Sequence, residues 1–289
     1  KSVLIQAATG AGKTALASSM VKGCYDKGNV AFFTVHRKDL IKQTAVAFEE
    51  FGIAYSYVAS GYPLNPYAKV FICSIDTLKN RLEQAPRPDV VFVDECHMAN
   101  SEGWSKTIQH YRKLGSYIVG LSATPWRLDG SGLGENFSDM VCGPSMEWLI
   151  ANGFLSQYRY FAPSTIDTTG IKITAGDFNK GQLADRMEQD AVIVGDAIKY
   201  YRQKADGMRA VCYCVSRKHS QRTVENFKAA GINAAHIDGE TPMAERARLI
   251  GLFADGVIKV LCNVELITTG FDLAALVGRD VTIDCVIFA

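Results

Sequence analysis

Two clusters of residues in this chain could do chemistry together. The first is Gln6-Ala-Ala-Thr-Gly-Ala-Gly-Lys-Thr14, a glycine-rich turn ending in a lysine and a hydroxyl residue. Gly10 and Gly12 open backbone conformations closed to residues with a Cβ, so successive N–H groups can face phosphate oxygens. A helix beginning near Lys13 would add its positive dipole end. Lys13 would bring a full charge to the β- and γ-phosphates, and the Thr14 hydroxyl would reach Mg²⁺. Thr9, Gly10, Ala11, Gly12, Lys13 and Thr14 are therefore the candidate nucleotide-binding residues of this loop. The general pattern G-x-x-x-x-G-K-[ST] has glycine where this chain has Ala7, so the loop alone leaves a chance glycine turn as the alternative.

The second cluster is Asp94-Glu95-Cys96-His97. Asp94 is suited to hold Mg²⁺, directly or through water. Glu95 would orient and activate an attacking water, since phosphoryl transfer asks mainly for positioning and charge stabilisation. His97 would sense the γ-phosphate and report to a neighbouring element. The alternative is a pair of solvated carboxylates at a strand end; a phosphate loop in the same α/β unit weighs against it. Ser122-Ala123-Thr124-Pro125 is weak by itself, because small hydroxyl residues before proline favour turns for local reasons.

The elements that must position these residues can be read from periodicity. Val3–Ile5 is a short strand before the loop, and 15–27 is a helix after it. Further strands are expected at 30–35, 55–58, 70–73, 89–93 and 117–121, with helices through 51, over 75–82 and over 106–114. The continuous apolar run before Asp94 fits a parallel strand covered on both faces. Ligands in such sheets bind beyond the carboxyl ends of the strands, where Asp94, Glu95 and Ser122 fall. Alternating strands and helices argue a doubly wound parallel sheet. The glycine-rich stretch 126–144 reads as an irregular loop, followed by a short helix over 146–152 with Gly153 as its C-cap. The domain boundary is placed there, giving domains 1–153 and 154–289. In the second, strands are expected at 158–162, 209–215, 234–237, 258–262 and 282–288. Its helices are expected at 182–187, 191–204, 218–230 and 242–254, with 165–176 as a polar loop.

Composition bounds the class. The 289 residues are 48% apolar and 21% charged, ordinary for a globular protein of about two domains. No run reaches the roughly 18 apolar residues of a membrane span, and a cytoplasmic location is expected. The eight cysteines contain no C-x-x-C pair and read as reduced core thiols rather than disulfides. Cys212-x-Cys214 alone is too thin for a metal site, since alternate strand residues share a face and can simply pack. A net charge of +1 neither supports nor excludes a polynucleotide partner.

Taken in order, the motifs resemble those of superfamily 2 DExH-box helicases. Gln6–Thr14 is similar to motif I, where alanine is common at the position of Ala7. Asp94–His97 is similar to motif II, Ser122–Pro125 to motif III, and Asn263-Val264-Glu265-Leu266-Ile267-Thr268-Thr269-Gly270-Phe271-Asp272 to motif V. Val35–Gln43 resembles motif Ia, Ser74–Leu78 a segment that touches nucleic-acid backbone, and Val215–Arg217 and His236–Gly239 motifs IV and IVa. The strings Gly120–Arg127 and Leu266–Asp272 look closest to RadD-like and bacteriophage-type DNA helicases.

The resemblance implies an α/β fold of two tandem RecA-like P-loop domains with ATP and Mg²⁺ between them. It implies catalytic roles for Lys13, Asp94, Glu95 and His97, metal binding by Thr14 and Asp94, and coupling through Ser122 and Thr124. Gly270 and Asp272 would touch the nucleotide; His36, Arg37, Thr77 and Thr269 would touch the nucleic-acid backbone, largely without regard to sequence. The family's upstream glutamine motif and its arginine-finger motif VI are not matched, so the second domain is expected to be truncated and hydrolysis weak in the chain as it stands. Gly278-Arg279 imitates motif VI but precedes the strand that motif VI follows; Arg279 is expected to be solvated. The implied function is an ATP-dependent DNA helicase or translocase. The rivals are an RNA helicase, a double-stranded DNA translocase subunit and a slow ATP-gated clamp.

Overall fold

The computed structural model describes all residues except 37, 99–101, 127–129, 131, 162–168, 175–176, 180–181, 183–190, 265, 268–272, 274–276 and 280. The chain divides into two compact units, Lys1–Phe161 and Ala162–Ala289.

The first unit is built on seven strands: β1 (Ser2–Gln6), β2 (Ala31–Val35), β3 (Ser56–Val58), β4 (Val70–Ser74), β5 (Val90–Val93), β6 (Tyr117–Ser122) and β7 (Asp139–Cys142). They form one sheet in the order β3-β4-β2-β5-β6-β1-β7, and every pairing is parallel. Between them run α1 (Lys13–Asp26), α2 (Lys38–Glu50), the single turn α3 (Ile75–Leu78) and α4 (Glu102–Lys113), with α5 (Met146–Ala151) after β7. Residues of β2 and β4 are buried throughout, as a sheet with both faces covered requires. The two-residue alternation sorts the core. Phe32 points to the α4 face, where its ring meets Phe71 at 5.3 Å and Tyr111 at 5.6 Å. Phe33 points to the α2 face and meets Phe48 at 5.6 Å.

Strand order is what gathers the chemistry. β5, β6 and β1 are neighbours, with Val93 in register with Gly120 and Gln6 with Ser122. The glycine loop, the carboxylates and Ser122 thus leave the sheet side by side at its carboxyl edge.

The second unit carries a four-stranded parallel sheet in the order β11-β12-β10-β13. Its strands are β10 (Ala210–Tyr213), β11 (Ala234–Ile237), β12 (Val260–Asn263) and β13 (Cys285–Phe288). Helices α6 (Ala191–Lys204) and α7 (Arg217–Ala229) supply Tyr201 and Phe227 to one core, and α8 (Met243–Ala254) supplies Ile250 and Phe253 to the other. A short antiparallel pair, β8 (Ile173–Thr174) and β9 (Asp177–Phe178), precedes them.

Several expectations are corrected. The stretch 126–144 is not irregular throughout, because β7 pairs with β1 at the sheet edge. All four β7 residues are exposed, so it carries no apolar alternation to betray it. Residues 158–161 form no strand, and Tyr158 and Tyr160 are exposed. The helix expected over 75–82 ends at Leu78. Within 165–176, Ile173–Thr174 is extended rather than loop. The helix expected over 182–187 lies almost entirely outside the described residues. All eight cysteines are free. Among the described residues, no helix is long and apolar enough to cross a membrane.

Candidate active site

The glycine loop has the backbone its sequence asks for. Gly10 and Gly12 both lie in the left-handed region, at φ 80° and 81°, where a side chain would add strain. At Gly10 a Cβ would also meet Leu155 Cδ2 at 2.9 Å. Helix α1 starts at Lys13 directly after Gly12, with no side chain capping its first N–H groups. Those donors and the dipole end face the loop, the arrangement that receives an anion. Thr9, Gly10, Gly12 and Thr14 are exposed, and Ala11 and Lys13 half-buried. The Lys13 ammonium donates to the carbonyls of Ala7 at 3.3 Å and Ala8 at 3.4 Å, folded over the loop it serves.

The acidic pair sits at the end of β5. Asp94 is anchored through its backbone, whose N–H donates to Thr34 O at 3.1 Å. Its Oδ1 accepts the Glu95 N–H at 3.0 Å. Burial, with Glu95 beside it, raises the Asp94 carboxyl to about 6 against the pull of that N–H, of Lys13 and of His97. Glu95 is buried and its carboxyl is raised by desolvation, with Lys13 pulling the other way. Its backbone is left-handed at φ 46°, unusual for a residue with a side chain. Its Oε2 is buried without a hydrogen bond. Strain and an unsatisfied carboxylate oxygen are both costly in a folded chain.

His97, in the 3₁₀ turn Cys96–Met98, ties this pair to the end of β6. Its Nδ1 lies 2.9 Å from Ser122 Oγ and 3.4 Å from Glu95 Oε2. Ser122 Oγ donates to Thr124 O at 2.7 Å and accepts the Thr124 N–H at 3.1 Å. With its one proton directed at Thr124, the hydroxyl can only accept from His97, which assigns the ring proton to Nδ1. Burial and the Lys13 charge lower the His97 pKa, with Asp94 opposing; the ring is neutral at neutral pH.

The structure therefore brings together Lys13, Asp94, Glu95, His97, Ser122 and the Thr124 backbone. Thr77 is not among them: it is half-buried and its Oγ1 accepts the Ser60 N–H at 3.1 Å. His36 is half-buried just past β2. Arg37, Thr269, Gly270 and Asp272 lie outside the described residues. Arg279 is exposed, as expected, and its guanidinium also reaches the C-terminal end of α8, 2.7 Å from Asp255 and donating to Gly251 O at 3.1 Å. The negative dipole end of a helix attracts such a cation. Trp148 stacks on Phe154 at 5.7 Å, with both rings partly exposed.

Two supporting residues escaped the sequence reading. Gln6 Nε2 donates to Ala123 O at 3.2 Å, pinning the turn after β6 to the root of the glycine loop. Gly120 leaves room for Phe137, whose ring atoms would lie 2.4 and 2.5 Å from a Cβ there, with Cys96 Sγ at 2.9 Å. A glycine inside an apolar strand is the signal that could have revealed this close approach.

The residues present fit a metal-bound triphosphate. A nest of N–H groups faces a lysine, and two adjacent carboxyls are held together at a cost that a cation would relieve.

Comparison with known proteins points the same way. Residues 1–127 match the family described as type III restriction enzyme, res subunit, and residues 193–283 match the helicase conserved C-terminal domain. A 51.5 kDa protein of a Lactococcus phage (isolate 7-9) is 35% identical over 270 residues, covering 93% of this chain and 56% of the phage protein. IRC3 of Saccharomyces cerevisiae, named as a candidate ATP-dependent helicase, is 24% identical over 306 residues, covering 99% of this chain and 43% of IRC3. The chain thus spans about half the length of these relatives. The Hef helicase domain of Pyrococcus furiosus matches with a TM-score of 0.57 at 14% identity, covering 99% of this chain and 92% of that one. At that identity the likeness establishes fold alone: tandem RecA-like α/β units.

Proposed function

The chain belongs to the superfamily 2 helicases, and from that premise we propose that it is the motor core of a DExH-type DNA helicase or translocase driven by Mg²⁺-dependent ATP hydrolysis. The observation that carries the proposal is the joined constellation of Lys13, Asp94–Glu95 and the His97–Ser122 bond at one sheet edge. The loop N–H groups from Thr9 to Thr14 and the Lys13 ammonium bind the β- and γ-phosphates. Thr14 and Asp94 hold Mg²⁺, which when bound neutralises charge on the phosphate oxygens. Glu95 orients the attacking water, and its unpaired Oε2 is the atom that takes up the proton; a carboxyl raised by burial is suited to that. His97 passes the state of the site to β6 through Ser122, and Thr124 carries it onward. Residues 154–289 are proposed as the second motor domain. Thr269, Gly270 and Asp272 would contribute there, while His36, Arg37 and Thr77 contact a strand backbone from the first.

The test is ATP hydrolysis by the full-length protein, with single-stranded DNA, RNA or neither. Stimulation by DNA well above that by RNA is expected, and abolition of turnover by Lys13→Ala. Turnover that survives this substitution removes the loop from its role, and equal or greater stimulation by RNA removes the DNA assignment. A second reading, a double-stranded DNA translocase subunit, draws on the match to the res-subunit family and on 24% identity to the type I restriction enzyme EcoAI endonuclease subunit of Escherichia coli. Of that subunit the chain covers 30%.

A further inference from the structure

The second unit holds a group of thiols that the motor chemistry does not use. Cys212 lies on β10, Cys214 follows two residues later on the same face, and Cys262 lies on β12 directly opposite Cys212 in register. All three are buried and free. Their sulfurs all lie within 4.8 Å of one another, with Cys212 Sγ and Cys214 Sγ 3.9 Å apart. Tetrahedral thiolates around zinc, with bonds of about 2.3 Å, stand about 3.8 Å apart. The spacing read along one strand gave only two of these thiols. The third comes from a strand fifty residues away in sequence, and parallel register delivers it.

A second observation points to a ligand. His219, in the first turn of α7, is only 1% exposed, and neither ring nitrogen has a hydrogen-bond partner. A buried imidazole with both nitrogens unsatisfied is expensive. It sits at the start of the helix that follows Cys214, and its nitrogens stand outside the group of sulfurs that lie within 4.8 Å of one another, so the ring must swing inward to ligate. Three cysteines and one histidine form one of the recurrent structural zinc sets. Ser220, whose Oγ is 2.7 Å from His236 Nδ1, is placed to support the site from outside. Packing alone accounts for buried cysteines as small hydrophobes. It does not account for three sulfurs converging from two strands, nor for a buried imidazole left unsatisfied on the next helix.

We propose that Cys212, Cys214 and Cys262 bind a thiophilic divalent cation of the Zn²⁺ class, with His219 as fourth ligand. Binding replaces thiol protons, which leave to solvent as each sulfur becomes a thiolate ligand. The ion would clamp β10 to β12 and to the start of α7, the elements that present Ser216–Arg217 and the segment after Asn263. The role is structural and independent of the ATP site.

The test uses the full chain produced in zinc-supplemented medium and purified under reducing conditions. Elemental mass spectrometry should find about one Zn²⁺ per chain. Cys212→Ser and Cys262→Ser should bring it to background, and His219→Ala should weaken retention against a chelator. Because serine in the core could unfold this unit, far-UV circular dichroism accompanies each variant, and the wild-type chain gives an independent readout. Cd²⁺ titrated into metal-stripped protein should produce a thiolate-to-cadmium absorption band that saturates at about one equivalent. Wild-type protein with background zinc and no such band overturns the proposal. So does zinc that persists in folded Cys212→Ser and Cys262→Ser chains.

Discussion

Asp94→Asn should make the metal-free chain more stable while abolishing its response to Mg²⁺ and ATP. Burial and the neighbouring Glu95 raise the Asp94 carboxyl from 3.8 to about 6, which corresponds to about 3 kcal/mol carried by the ionised form. The group retains some access to solvent, so about 1–2 kcal/mol is the working figure. The sign follows from linkage. A carboxyl whose folded pKa is raised contributes stability that is fully present below 3.8 and is lost as pH rises through about 6. Above that window the wild type bears the whole penalty and the asparagine variant bears none. An asparagine oxygen can still accept the Glu95 N–H that now reaches Oδ1 at 3.0 Å, so the turn keeps its bond. At about 2–4 °C per kcal/mol for units of this size, the midpoint should rise by about 2–8 °C.

The assay is thermal unfolding of the full chain in chelator, at about pH 7.5 and again stepwise toward about pH 4.5. The advantage of the variant should be full at the higher pH and shrink as Asp94 protonates in the wild type. Adding Mg²⁺ with a non-hydrolysable ATP analogue should then reverse the order, because only the wild type gains binding energy in the folded state. An asparagine variant that melts at or below the wild type at about pH 7.5 refutes the reasoning, as does an advantage that ignores pH. Either result would mean that the carboxylate is satisfied in place and is not held ready for a cation.

Two other substitutions probe how the site is supported. Gly120→Ala should force Phe137 and Cys96 apart and destabilise the first unit by about 1–3 kcal/mol; Phe137→Leu added to it should recover part of the lost melting temperature and ATPase rate, whereas strict additivity of the two changes would show that they do not touch. Ser122→Ala removes the acceptor for His97 Nδ1 and both bonds to Thr124, at about 1–3 kcal/mol of stability. It should retain basal hydrolysis while losing most stimulation by single-stranded DNA, and an unchanged ratio of stimulated to basal rate would remove the coupling role.

What the sequence made legible follows a physical rule. The glycine loop could be read because everything it needs, two residues free to take positive φ and a lysine at a helix start, is contiguous. The ends of β5 and β6 could be read because a buried parallel strand announces itself as an apolar run and stops where polar residues begin. What stayed hidden depends on which strands become neighbours and on the conformation of single residues. Nothing in Asp94-Glu95-Cys96-His97 announces that Glu95 will take φ 46°, or that His97 will find its acceptor on β6. β7 was missed because an exposed edge strand needs no alternation, and the contact of Arg279 because its partner Asp255 caps a helix distant in sequence. The thiol group shows the same division most sharply. Cys212-x-Cys214 is a local pattern of little weight, and only the register of β10 with β12 adds Cys262. Lateral pairing between distant strands is therefore where this chain keeps both the His97–Ser122 bond of its candidate site and the sulfur cluster of its second unit.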